Sequence, residues 1–161
     1  MNAAEIARNM ETDAVAFYKE AAEKTSHPVG KKMFLSIMED EIKHVKMIEA
    51  IIKGMDVDET TLDPMESVKS IFEEMKDQLG DKLTATSDDK EALKIAMDME
   101  KKGFEFYQKA VAEATDDKSK ALFEKLVSDE DKHYRIFLNT YNFLNDTGNW
   151  FMWEERGMVE G

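Results

Sequence analysis

Glu41-Ile42-Lys43-His44 and Glu130-Asp131-Lys132-His133 are two copies of one spacing, set 89 residues apart. In a helix, positions three apart share a face, so each stretch aims a carboxylate and an imidazole the same way. The neighbours decide what that means. Glu41 has Phe34, Ile37, Met38, Val45 and Ile48 on its face within two turns, and Glu130 has Phe123, Leu126, Val127, Tyr134 and Phe137 at the same offsets. Both pairs therefore lie in the apolar stripe that a helix buries. An ionised carboxylate there is costly unless positive charge meets it. A bound cation would supply that charge, and two of the chain's three His occupy these matched places.

The echo extends well beyond the two tetrapeptides. The same ungapped shift carries Ala3, Ile6, Ala7, Met10, Glu11, Phe17, Tyr18 and Ala21 onto Ala92, Ile95, Ala96, Met99, Glu100, Phe106, Tyr107 and Ala110. It also carries Lys31, Phe34, Asp40 and Lys43 onto Lys120, Phe123, Asp129 and Lys132. Residues 3–48 and 92–137 thus read as two copies of one helical hairpin. Two copies of so long a unit suit a pseudo-symmetric four-helix bundle rather than a solenoid.

Apolar periodicity predicts helices over about 3–24, 31–53, 88–114 and 118–145, with Gly54 capping the second. Thr25 to Gly30 and Thr115-Asp116-Asp117 are the hairpin turns. Residues 55–88 form a long connection, the length needed to set the third helix parallel to the second. Within it, Asp63-Pro64-Met65-Glu66 reads as a helix start, and Met65, Val68, Ile71, Phe72, Met75 and Leu79 make one apolar face before Gly80. The expected architecture is all-α: a four-helix bundle over 1–148 with a crossover containing a short helix. The tail 149–161 holds Trp150, Phe151 and Trp153 and is expected to dock on the bundle or on a second subunit.

Composition narrows the function. Among 161 residues, 42% are hydrophobic and 35% charged, with only two Pro, a mixture that favours helices around one core. A net charge of −13 argues against coating nucleic acid or binding anionic membranes. No run of apolar residues is long enough to span a bilayer, and the N-terminus lacks the features of a signal peptide. A cytoplasmic location is expected. The absence of Cys excludes thiolate metal sites, disulfides and Cys nucleophiles within these residues. His27 reads as an exposed loop residue.

The turn near residue 27 lies midway between Glu11 and Glu41, so antiparallel helices of equal rise bring those carboxylates to one height. The same holds for Glu100 and Glu130. Two hairpins paired about a two-fold axis would then converge four Glu and two His. This is the dinuclear carboxylate pattern, a Glu from each of two helices and a Glu-x-x-His from each of the others. Oxygen and imidazole donors suit iron or manganese. Four carboxylates also balance two divalent ions.

With Glu11-x6-Tyr18, Glu41-x-x-His44, Glu100-x6-Tyr107 and Glu130-x-x-His133, the chain resembles the ferritin-like di-iron proteins, closest to the rubrerythrin family, over residues 3–145. The resemblance implies metal ligands at Glu11, Glu41, His44, Glu100, Glu130 and His133, holding two Fe ions, with Mn or mixed Fe/Zn as alternatives. The hairpin symmetry suggests Glu11, Glu41 and His44 mostly on one ion and Glu100, Glu130 and His133 on the other, with two carboxylates bridging. Tyr18 and Tyr107 either hydrogen-bond ligand carboxylates or simply fill the core. Asp40 and Asp129 read as surface acids rather than supports for the His rings.

The implied function is reduction of hydrogen peroxide or dioxygen, in oxidative-stress defence, with electrons from an external donor such as a rubredoxin-like protein. A homodimer is expected. The alternatives are a non-catalytic iron-binding or storage protein and a helical scaffold with a vestigial site. Two departures bear on this. Rubrerythrins usually carry a rubredoxin domain with a four-Cys iron site, and this chain has no Cys. The family's extra glutamate, one turn after the third-helix ligand, falls at Gly103.

Overall fold

The computed structural model describes residues 2–25, 27–56 and 87–147. Four helices make up nearly all of this: α1 (Ala3–Lys24), α2 (Pro28–Ile52), α3 (Ser87–Glu113) and α4 (Asp117–Thr147). The expected crossover helix and the C-terminal tail lie outside the described residues.

Each helix end has a local cause. Asn2 caps α1, its side-chain oxygen accepting from the Glu5 amide at 2.9 Å. α2 starts earlier than its periodicity suggests. Pro28 occupies its first turn, where the missing N–H costs nothing and the fixed φ suits the helix, so Pro28, Val29 and Gly30 are helical rather than loop. α1 ends at Lys24 and α2 begins at Pro28, so the connection is shorter than the periodicity suggests. At the other end Gly54 takes φ 72°, and the amides of Gly54 and Met55 bond back to the carbonyls of Ile51 (3.0 Å) and Ala50 (2.8 Å). That is the doubly bonded glycine stop expected of a helix C-terminus. Asp116 opens α4 by accepting from the Ser119 amide at 2.9 Å.

The short turns pack α1 against α2 and α3 against α4 along their lengths, while contacts between the hairpins are sparser. Direction follows from cross-hairpin contacts. His44 meets Asp129 while Asp40 meets His133, so α2 and α4 run antiparallel. With α3 antiparallel to α4, helices α2 and α3 run parallel, which is why the chain needs a long connection between them.

The apolar core divides in two. One cluster centres on Tyr18, Phe34, Ile37, Leu93, Ile136 and Phe137, and the other on Ile48, Tyr107, Leu122, Phe123 and Leu126. Each fully buried large side chain contributes about 1.5–3 kcal/mol relative to exposure. Between the two clusters lies a band of buried polar groups.

Candidate metal centre

All four helices feed that band: Glu11 from α1, Glu41 and His44 from α2, Glu100 from α3, Glu130 and His133 from α4. None of the six is more than 3% exposed. Their donor atoms form two overlapping groups, Glu11–Glu41–His44–Glu130 and Glu41–Glu100–Glu130–His133, each with its atoms within 4.8 Å of one another. Glu41 and Glu130 belong to both. Each half thus combines three donors of one hairpin with one carboxylate of the other, and the two shared carboxylates, which the sequence did not specify, are Glu41 and Glu130.

The two imidazoles stack with centroids 6.0 Å apart, and each turns one nitrogen outward. His44 Nε2 lies 2.9 Å from Asp129 Oδ2, and His133 Nε2 lies 3.1 Å from Asp40 Oδ2. Asp40 and Asp129 are thus not surface acids. Each carboxylate faces the outer nitrogen, where it can accept an N–H, and this turns Nδ1 to the interior. There His44 Nδ1 sits 3.2 Å from Glu41 Oε1 and 3.5 Å from oxygens of Glu11 and Glu130. His133 Nδ1 sits 3.2 Å from Glu41 Oε1 and 3.4 Å from Glu100 Oε1.

The tyrosines cross between hairpins too. Tyr18 donates to Glu100 Oε1 at 2.5 Å and Tyr107 donates to Glu11 Oε1 at 2.7 Å. Of the two roles open to them in the sequence, they combine both: each is buried among aromatic rings and each pins a carboxylate of the opposite hairpin. Burial, then the charges of the nearby carboxylates, raises both phenol pKa values well above the ordinary, so the hydroxyls remain donors.

What remains is a set of unmet donor atoms. Among the described residues, the buried side-chain atoms with no hydrogen-bond partner are Glu11 Oε2, Glu41 Oε1, His44 Nδ1, Glu100 Oε2, Glu130 Oε1 and His133 Nδ1. One comes from each of the six residues. Folded proteins rarely leave such atoms unsatisfied, and lone pairs about 3 Å apart repel unless a cation or proton lies between them. Donors at right angles around an ion with bonds of about 2.1 Å are separated by about 3 Å, so the spacing suits shared coordination. The residues fit a pair of cations.

Protonation equilibria without metal describe the same demand. Burial raises Glu41 to about 8, with the charges of Glu11 and Glu100 adding to it. Burial likewise lifts Glu130, helped by Glu100, Glu11 and Glu41. Burial alone would raise Glu11, but its contacts with Glu41 and His44 outweigh that and hold it below the usual carboxylate range. For both imidazoles burial opposes the charge, yet the surrounding carboxylates win and raise their pKa values well above normal. The cluster collects protons because it lacks other positive charge, and bound cations would displace them.

Other residues matter that the pattern of ligands did not single out. Lys125 donates to Asp129 at 3.1 Å, and together with His44 it outweighs burial to hold that carboxyl down at about 2. At Gly103 a Cβ would come within 3.0 Å of Glu130 Oε2, so the glycine is the room that this carboxylate occupies. His27 is half-buried, 4.0 Å from the buried Asp89, rather than an exposed loop residue. The recurrence of Asp40-Glu41 as Asp129-Glu130 was the available signal for the supporting acids.

No helix among the described residues is long and apolar enough to cross a membrane. No curated protein and no solved structure matches the chain. A family model described as Rubrerythrin matches residues 3–141, a span that includes all six converging donors and both tyrosines. By that match, over nearly the whole bundle, the chain belongs to the rubrerythrin family.

Proposed function

We propose that this protein is a di-iron carboxylate oxidoreductase that reduces hydrogen peroxide, or dioxygen, using electrons from a separate donor protein. The observation that carries this reading is the convergence of six partnerless donor atoms from four helices at one buried point. Glu41 and Glu130 would be shared between two iron ions, with Glu11 and His44 completing one position and Glu100 and His133 the other. Bound iron supplies two one-electron equivalents, matching the two electrons and two protons that turn H2O2 into two waters.

The chain's own groups prepare that chemistry. Asp40 and Asp129 hold the imidazoles in the tautomer that presents Nδ1 inward. Tyr18 and Tyr107 fix one oxygen of Glu100 and Glu11, leaving the other free to bind. Apolar clusters flank the charged band on both sides along the bundle axis. No Cys lies in residues 1–161, so no thiolate iron centre among them could pass electrons to the site, which is why the reading includes a separate donor.

Stopped-flow mixing of the Fe(II)-loaded protein with peroxide tests the reading. Oxidation faster than that of free Fe(II), with two iron equivalents per chain, is the expected result. Rates no better than free Fe(II) with either peroxide or dioxygen would end the enzyme assignment. Metal analysis of protein purified without added metal separates Fe from Mn or mixed Fe/Zn.

A further inference from the structure

The seam between α1 and α3 is packed far less tightly than either hairpin is internally. A cleft of about 200 Å³ opens there, and its lining includes Glu11, Glu41, Glu100 and Glu130. Those carboxylates are almost fully buried, so they form the floor, while Met10, Ala14, Met99 and Gly103 form the walls. The opening has a sequence cause. Ala14 and Gly103 each stand three residues after a site glutamate, on the same helical face, and both are as small as residues come. At Gly103 the space is fully used: a Cβ would lie 3.0 Å from Glu130 Oε2 and 3.5 Å from its carboxyl carbon.

Size and polarity define what the cleft would accept. At about 30 Å³ per water, it offers the room of roughly six water molecules, several times what a two-oxygen molecule needs. The thioethers and the alanine methyl suit an alkyl group, and two bound divalent ions would balance the four carboxylates of the floor. We propose that the cleft admits small neutral alkyl hydroperoxides, ROOH, as well as hydrogen peroxide, and that Gly103 sets the size limit. The proposal rests on the peroxide-reducing reading above. The hydroperoxide end faces the carboxylates and R lies between Met10 and Met99. The O–O bond breaks as ROOH takes up two electrons from the ferrous protein and two protons, giving ROH and H2O.

Gly103→Ala and Ala14→Val, made in the full chain, narrow the cleft from opposite sides. Melting curves and Co(II) titration followed by visible absorption come first. Two equivalents are expected in all three proteins, with weaker binding in Gly103→Ala, whose new methyl forces Glu130 to give way. Azide titration of the Co(II)-loaded proteins then reads access without turnover. The wild-type bands should shift, and both variants should need more azide. Finally, the Fe(II)-loaded proteins are mixed with hydrogen peroxide and with tert-butyl hydroperoxide. Wild type should be oxidised by both faster than free Fe(II), and each variant should lose roughly tenfold in the tert-butyl to hydrogen peroxide ratio. Oxidation by hydrogen peroxide alone would overturn the substrate range while leaving the peroxide reading intact. An unchanged ratio in Gly103→Ala would overturn the role of Gly103, whatever Ala14→Val does. No Co(II) uptake by wild type would remove both readings together.

Discussion

The two hairpins each place the same three donors and differ in what stands behind them. Tyr18 to Glu100 becomes Tyr107 to Glu11 when positions shift by 89, and His44 to Asp129 becomes His133 to Asp40. Every one of these contacts crosses between hairpins, so neither hairpin holds a finished half-site. The supports, by contrast, diverge. Lys125 sits on Asp129, whereas the matching position four residues before Asp40 is Ser36. Gly103 corresponds to Ala14, and Phe137, stacked 5.5 Å from Tyr18, corresponds to Ile48. A symmetric set of donors on unequal supports predicts unequal affinity for the two cations the cluster would hold.

The harshest test of that comparison removes a shared donor. Glu41→Ala should abolish binding of both metal equivalents, whereas Glu11→Ala should spare one, as read by Co(II) titration. In wild type, metal at 100 times its Kd should add about 2.7 kcal/mol to stability for each position filled, and that increment should vanish in Glu41→Ala. Equal losses in the two variants would show that Glu41 is not shared.

Next comes pH, where the halves should act together. In the metal-free protein Glu41 is raised to about 8, so folding retains a proton that the unfolded chain releases above its ordinary carboxyl value. Its contribution falls as pH rises from about 4.5 through about 8. His44 and His133 are also raised, so their contribution is complete below about 6.5 and is lost as pH climbs through their folded values. The melting temperature of the metal-free protein should therefore fall from pH 5 to pH 8. The increment from added metal should grow over the same range, because metal displaces those protons. A flat metal-free profile would contradict this.

Smaller effects separate the halves. Asp129→Asn and Asp40→Asn should each weaken one of two binding steps by about 10–100-fold, leaving the other nearly unchanged. Smallest is Lys125→Met. This contact is part-buried, and its loss should strengthen only the step involving His44, by returning charge to Asp129. Ser36→Lys should weaken the opposite step and bring the two closer to equal. If Lys125→Met moves both steps alike, the asymmetry lies elsewhere.

Glu41, His44, Glu130 and His133 were legible because helical spacing and an apolar neighbourhood are local properties. Glu11 and Glu100 followed from the repeat and equal helical rise. Asp40 and Asp129 were misread for a physical reason. Each is next to a ligand in sequence, about 100° round the helix, a direction that faces water until another helix packs there. Pro28 reads as part of a turn because a breaker inside a helix and a starter at its first position look alike in sequence.

By itself the sequence determined four amphipathic helices, a two-fold repeat and six donors on buried faces, since these depend on periodicity within one segment. Tertiary structure alone decided that Glu41 and Glu130 belong to both halves, that each Tyr and each Asp serves the opposite hairpin, and that Gly103 is the space filled by Glu130. Such facts concern the distance between atoms on different helices, and that distance does not exist until the hairpins pack.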